Sequence, residues 1–270
     1  MSIINLLFWN LAKNNIDKYI IGIIKEKNVD IAIFSEYSGI NISNILVNLN
    51  NEYLHYSTMG GCNKVTIIAK RKYDIKIRRE ADERFVIYSV ECNDEKYILA
   101  GLHLQDNLHS DSDVRKIEIR DLVSYIQEVE KNLNHSNTIV IGDFNASPFD
   151  DEMIQKDAFN AILFKNLILK AEYTTFGKRK YRRFYNPMLD FISEDNANYG
   201  SFYYSSGLKT LYWYCYDQII IRKPLISYLH SLEYCKTIGN KKLIKDIIPD
   251  KSISDHLPLF VRFERRIENG

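Results

Sequence analysis

The sequence predicts one α/β domain spanning residues 1–270. Short aliphatic runs alternate with amphipathic stretches along the chain, and no linker, repeat or low-complexity segment interrupts them. With 46% apolar and 26% charged residues, the chain can bury a sizeable core.

In chain order, Ile3 to Trp9 reads as a strand. Ile16 to Lys27 reads as a helix with Ile16, Tyr19, Ile20, Ile23 and Ile24 on one face. Asp30 to Ser35 is a continuous apolar run of the kind buried on both faces. Lys64 to Lys70, Arg84 to Cys92 and Lys96 to Leu104 read as three strands of a meander. Ser112 to Leu133 is the strongest helix, with Val114, Ile117, Leu122, Ile126, Val129 and Leu133 as its stripe. Thr138 to Asp143 is the next strand. Ser201 to Tyr204 and Leu211 to Ile221 read as aromatic strands joined by the turn signal "SSGLKT", and Leu257 to Phe263 closes the chain. Alternation in those aromatic strands would put half of Tyr203, Tyr204, Tyr212, Trp213, Tyr214 and Tyr216 in the core.

The bulk numbers exclude some classes. A formal net charge of +1 provides no global field towards nucleic acid or anionic membrane, so any such attraction must be local. No apolar run is long enough to span a bilayer. The N-terminal "MSIINLLFWNLAKN" lacks the basic start and small-residue site of a secretory leader. Cys62, Cys92, Cys215 and Cys235 lack zinc-ligand or redox spacing, which predicts reduced thiols and a cytoplasmic location. No protein partner is evident.

Several aliphatic runs stop at a polar residue. "LLFWN" ends at Asn10, "IAIFSE" at Glu36, "LAGLH" at His103, and "VIGDFN" at Asp143 and Asn145. "SDHLPL" sets Asp255 and His256 just before a strand, while "WYCYDQIII" buries Asp217 among apolar residues, which is costly unless it is paired. Taken singly these are turn or surface residues. Taken together they can converge at one end of a sheet. If the strand continues, Asp143 and Asn145 face one pocket, with Gly142 leaving room for approach. The alternative is an Asx-turn ahead of Pro148.

The ordered set "FWN", "FSEY", "GLHLQD", "GDFNASP", "YDQI" and "SDHLP" resembles the endonuclease/exonuclease/phosphatase superfamily, the deoxyribonuclease I-like proteins, from Asn10 to His256. The resemblance implies a four-layer α-β-β-α sandwich, two packed mixed sheets flanked by helices. It implies a metal site at Asn10, Glu36 and Asp255, where hard oxygen donors suit Mg²⁺ with Mn²⁺ as a substitute. It further implies that Asp143 activates a water, that Asn145 hydrogen-bonds the same water or a phosphoryl oxygen, that His103 hydrogen-bonds the phosphate, and that His256, oriented by Asp217, stabilises the transition state. Whether Asp143 or His256 is the base stays open. Arg84, with Glu83, is a candidate for substrate contact, or else a surface pair beside Asp82. Ala12 stands where the family's abasic-site endonucleases carry an acid, and His103 where they carry tyrosine, which moves the chain away from that repair activity.

In "TTFGKRKYRRFYNPMLDF", Lys178, Arg179, Lys180, Arg182 and Arg183 interleave with Tyr181, Phe184 and Tyr185. That pattern suits a phosphate backbone with stacked bases. It equally suits a solvated loop with Tyr181 and Tyr185 packed inward. The expectation is a metal-dependent phosphodiesterase acting on DNA or RNA. The alternatives are an enzyme acting on a small or lipid-derived phosphate ester, and a non-catalytic binding module of the same fold.

Overall fold

The computed structural model describes residues 3–58, 62–81, 84–106, 112–192, 199–206, 208 and 210–264. The elements in order are β1 (Ile3–Asn10), α1 (Asp17–Glu26), β2 (Ile31–Ser35), α2 (Ile42–Asn48), β3 (Tyr53–Tyr56), β4 (Val65–Lys70), β5 (Asp74–Ala81), β6 (Phe85–Cys92), β7 (Glu95–His103), α3 (Ser112–Leu133) and β8 (Thr138–Asp143). Next come α4 (Asp151–Ile154), β9 (Ala161–Ile162), α5 (Lys165–Lys170), β10 (Tyr173–Phe176), β11 (Arg179–Arg182), β12 (Phe184–Tyr185), α6 (Met188–Phe191), β13 (Phe202–Tyr204), β14 (Tyr212–Tyr214) and β15 (Asp217–Ile221). The chain ends with β16 (Leu229–Tyr234), β17 (Thr237–Ile238), β18 (Lys241–Lys242), β19 (Ile244–Lys245), β20 (Ile248–Pro249) and β21 (Leu259–Glu264).

Two mixed sheets carry the architecture. One runs β16-β21-β1-β2-β4-β3 and the other β5-β6-β7-β8-β15-β12-β9. Strand alternation decides which side chains fill the space between them. Val86, Tyr88, Val90, Ile139 and Ile141 point inward to meet Leu6, Phe8, Ile31 and Ile33 in one buried cluster. Their neighbours Phe85, Ile87 and Val140 point outward beneath α3, against Ile119, Leu122 and Ile126. On the far side α1 buries Ile20, Ile23 and Ile24 in the first cluster. Each such fully buried aliphatic side chain stabilises the fold by roughly 1.5–3 kcal/mol. The result is the expected four-layer α-β-β-α sandwich. Among the described residues no helix is long and apolar enough to cross a membrane.

Several expectations need correction. Lys64 to Lys70 does not join the meander, because β4 pairs with β2 and β3 in the first sheet. The meander is β5-β6-β7. Its edge strand reads "DIKIRREA", mostly charged, and a register shift between Ile77 and Arg79 breaks the alternation that would reveal it. The α3 stripe passes through Ile119 rather than Ile117, which is 56% exposed; the side chain of Val114 lies outside the described residues. The run Leu211 to Ile221 divides into β14 and β15. The β13–β14 ribbon stands apart from both large sheets, so none of its tyrosines reaches the core; residues 207 and 209 of its turn lie outside the described residues.

Candidate active site

Topology brings the polar strand ends together. β1 runs parallel to β2, with Asn10 beside Ser35, and β7 runs parallel to β8, with His103 beside Asp143. β15 runs antiparallel to β8 and starts there, with Asp217 beside Asp143. β21 is antiparallel to β1, so the segment before it, Ser254 to His256, arrives at the same end. The strand ends of both sheets therefore open on one rim.

Asp143 is central and 1% exposed. Its Oδ2 accepts a hydrogen bond from Asn10 Nδ2 at 3.0 Å, and its Oδ1 accepts one from the Asn145 backbone N–H at 2.9 Å. Asn10 Oδ1 accepts the Ala12 N–H at 3.0 Å, which fixes the carboxamide. His256 Nε2 lies 4.0 Å from Asp143 Oδ2, and His256 Nδ1 lies 2.7 Å from Asp217 Oδ2. On the other flank His103 Nε2 lies 3.8 Å from both Asp143 Oδ2 and Glu36 Oε1.

The buried pair Asp217–His256 sets the electrostatics. Burial opposes the charge on His256, but Asp217, then Asp143 and Asp255, outweigh it and push its pKa up to about 10. Burial likewise raises the Asp217 carboxyl, and the attraction of His256 offsets part of that rise. The acidic neighbours thus favour the protonated His256 ring. Its surroundings hold it in place. Its backbone N–H is donated to Ser254 Oγ at 3.1 Å, its carbonyl accepts Trp9 Nε1–H at 2.9 Å, and the Phe202 ring lies 4.8 Å from its own. Tyr234 donates its hydroxyl to the Asp217 carbonyl at 2.6 Å.

Asp143, Asp217 and His256 lie close enough for their ligating atoms to share an ion. The Asp217–His256 bond already takes one ligating atom from each of these two groups, Asp217 Oδ2 and His256 Nδ1. The better fit is the gap at Glu36. Among the described residues its half-buried carboxylate makes only long contacts, 3.8 Å to His103 and 3.9 Å to Lys13 Nζ, and His103 Nε2 is equally far from Asp143. Oxygen donors there suit a hard divalent cation.

No family model matches the chain, and no curated protein matches it in sequence. Solved structures do. The endonuclease domain of TRAS1, a telomere-specific non-LTR retrotransposon, aligns with a TM-score of 0.58 at 12% identity over 98% of this chain and 100% of that one. TDP2 from D. rerio, complexed with single strand DNA product, aligns at 0.61 and 14% over 98% and 100%. An endonuclease/exonuclease/phosphatase from Bacteroides vulgatus aligns at 0.58 and 13% over 98% and 100%. This chain has the endonuclease/exonuclease/phosphatase fold.

Within the endonuclease/exonuclease/phosphatase fold, the predicted site residues separate into two groups. Asn10, Glu36, His103, Asp143, Asp217 and His256 form one chain of contacts, which Asp255 joins through its charge on His256. Asn145 departs from expectation. β8 ends at Asp143, Asn145 is left-handed at φ 46°, and the Asx-turn forms. The Asn145 amide donates to the Leu104 carbonyl at 2.8 Å. Gly142 does not open the pocket either; it makes room for the Leu102 carbonyl of β7, with which a Cβ would collide. Arg84 sits at the rim, its carbonyl accepting the His103 N–H, and its guanidinium lies 3.7 Å from Glu118; Asp82 and Glu83 lie outside the described residues.

The basic segment is elsewhere. Lys178, Arg179 and Lys180 are exposed on the β10–β11 hairpin. Arg182 binds Glu130, Glu172 and Ser136, just before β8 begins. That is the opposite end of β8 from Asp143, about 17 Å away at roughly 3.3 Å per residue. Arg183 donates to Thr174 Oγ1 and the Ala171 carbonyl. Tyr185 is 3% exposed and donates its hydroxyl to Asp190, so its ring has no free face for a base.

Sequence reasoning missed Arg115 and Glu152. Both are about 95% buried, at 5% and 4% exposure, and they pair with each other. Arg115 Nη1 donates to the Asn145 carbonyl at 2.8 Å, bracing the turn that aims Asp143. A signal existed: Arg115 lies four residues before Ile119 on the core face of α3.

Proposed function

We propose that the protein is a divalent-metal-dependent phosphodiesterase that hydrolyses nucleic acid. The observation that carries this is the ring of His256, held by Asp217 at 2.7 Å through Nδ1 and placed with Nε2 4.0 Å from Asp143 Oδ2. An oxygen between these two groups can sit at hydrogen-bond distance from both, one accepting its proton and the other donating.

Asn10 and the Asn145 N–H hold both carboxylate oxygens of Asp143 in place, so the remaining lone pair on Oδ2 can take a proton from an attacking water. As the water oxygen bonds to phosphorus the bond to the leaving ester oxygen breaks, that oxygen takes its proton from solvent, and His256 Nε2–H donates to a phosphoryl oxygen as negative charge grows on it. Asp217 keeps that proton on the ring and fixes the ring plane. His103 Nε2, between Glu36 and Asp143, is placed to donate to a second phosphoryl oxygen. Glu36, with Asn10 and Asp255, would hold Mg²⁺ or Mn²⁺, which when bound polarises the phosphoryl group and offsets its developing charge.

The test is a substrate panel of single- and double-stranded DNA, RNA and small phosphate esters, with Mg²⁺, Mn²⁺ and a chelator. Metal-dependent cleavage of nucleic acid is expected. Full hydrolysis after chelation would remove the metal from the account, and turnover of small esters alone would move the substrate to that class.

A further inference from the structure

The β13–β14 ribbon is not used by the chemistry above, yet it begins at the site. Phe202, its first residue, bridges to His256 and sets its ring 4.8 Å away. Phe202 then stacks on Tyr216 at 5.6 Å, and Tyr216 meets Tyr214 at 5.0 Å. Alternation puts Tyr204 on the same face as Phe202, about 6.6 Å further out at roughly 3.3 Å per residue. The outer rings are open to solvent, Tyr204 by 45% and Tyr212 by 53%.

These rings are held, not loose. Tyr204 donates its hydroxyl to the Ser206 carbonyl at 2.7 Å, and its own carbonyl accepts Thr210 Oγ1 at 2.6 Å. Tyr214 Oη accepts the Leu211 N–H at 3.1 Å. Tyr212 has φ 65° and sits at the centre of a three-residue turn closed by Trp213 N–H to Leu211 O at 2.8 Å. That turn is rare and strained for a side chain of this size. Strain and hydrogen bonds are thus spent on holding aromatic faces in water, where the hydrophobic effect alone would bury them. Beside the ribbon, β20 packs against β13, and residues 236–251 carry five lysines against two aspartates. Lys242, Lys245 and Lys251 among them are exposed.

We propose that the outer ribbon, led by Tyr204, is a stacking platform for unpaired bases of a nucleic-acid strand whose scissile phosphate lies at His256, with the lysine hairpins facing its backbone. This rests on the nuclease reading and narrows its substrate to strands with free base faces. A duplex has its bases already stacked and offers the rings nothing. Continuity of the ring row with His256 favours this over a lipid surface, which would engage the ribbon's tip instead.

The test uses the full chain carrying Asp143→Asn, so that bound strand is not cut. Fluorescence anisotropy compares a short thymidine oligonucleotide with an abasic strand of equal length. One stacked base is worth roughly 1–3 kcal/mol, or about 5- to 150-fold in Kd. The thymidine strand should bind more tightly by at least that lower factor. Tyr204→Leu should remove the difference, Tyr204→Phe should keep it, and neither should alter affinity for a duplex. Equal binding of both strands, or a difference that survives Tyr204→Leu, overturns the proposal. So does Tyr204→Leu releasing the protein from phosphatidylserine vesicles while leaving oligonucleotide binding intact. The hydrolytic reading fails separately, if Asp143→Asn leaves turnover unchanged.

Discussion

Asp217→Asn is the substitution that most sharply separates electrostatics from packing at this site. The side chains are close in size, and Asp217 is fully buried, so the change is chiefly one of charge. In the native protein Asp217 lies 2.7 Å from His256 Nδ1 and is the leading reason that the imidazole titrates at about 10 instead of 6.5. A single opposite charge at this range moves a pKa by roughly 1–3 pH units. Asp143 and Asp255 remain in the variant, and burial still opposes the charge, so His256 should titrate at roughly 7–9. The assay is an NMR titration of the His256 Cε1–H, paired with the pH profile of kcat, whose alkaline limb should move with it. A variant in which His256 still titrates near 10 would refute the assignment. Stability carries the same sign. A raised histidine pKa gives stability that is full below pH 6.5 and lost as pH rises through about 10. Thermal unfolding between pH 6.5 and 10 should therefore lose more stability in the native protein than in Asp217→Asn.

Arg115→Met should cost on the order of 3–5 kcal/mol in chemical denaturation, because it strands the buried Glu152 carboxylate, and the joint change with Glu152→Leu should recover much of it. Gly142→Ala should destabilise the protein by about 1–3 kcal/mol or more by forcing β7 and β8 apart, as read by the urea midpoint. Charge reversal at Lys178 and Lys180 should leave the salt dependence of cleavage unchanged, since the base of their hairpin, at Arg182, is tied to Glu130 and Ser136 at the far end of β8 from Asp143; a shallower loss with salt would return that hairpin to the substrate path.

The central strands, and the convergence of the polar residues that end them, were legible where a single physical signal dominated. The runs at Ile31 to Ser35 and Thr138 to Asp143 are buried throughout, and five or six such residues, short and rich in β-branched side chains, suit a central strand better than a helix. The polar residues ending these runs converge because the parallel pairs β1–β2 and β7–β8 both point their ends at one rim. What stayed hidden depended on partners distant in sequence. β5 is polar because one side faces water. Asn145 leaves the strand because its N–H finds Asp143 sooner than a ladder partner. Arg182 and Arg183 read as a free basic run, yet Glu130, Glu172, Thr174 and Ala171 claim their donors. The role of Arg115 is invisible until α3 is laid over the Asn145 turn.

Single-turnover cleavage of a labelled single-stranded oligonucleotide with Mg²⁺, by the native protein and by Asp143→Asn, bears most directly on the proposed chemistry. If Asp143 takes the proton from the attacking water, the variant should be slower by about 10²–10⁴-fold with the fold intact. An unchanged rate would place the reaction elsewhere on the molecule.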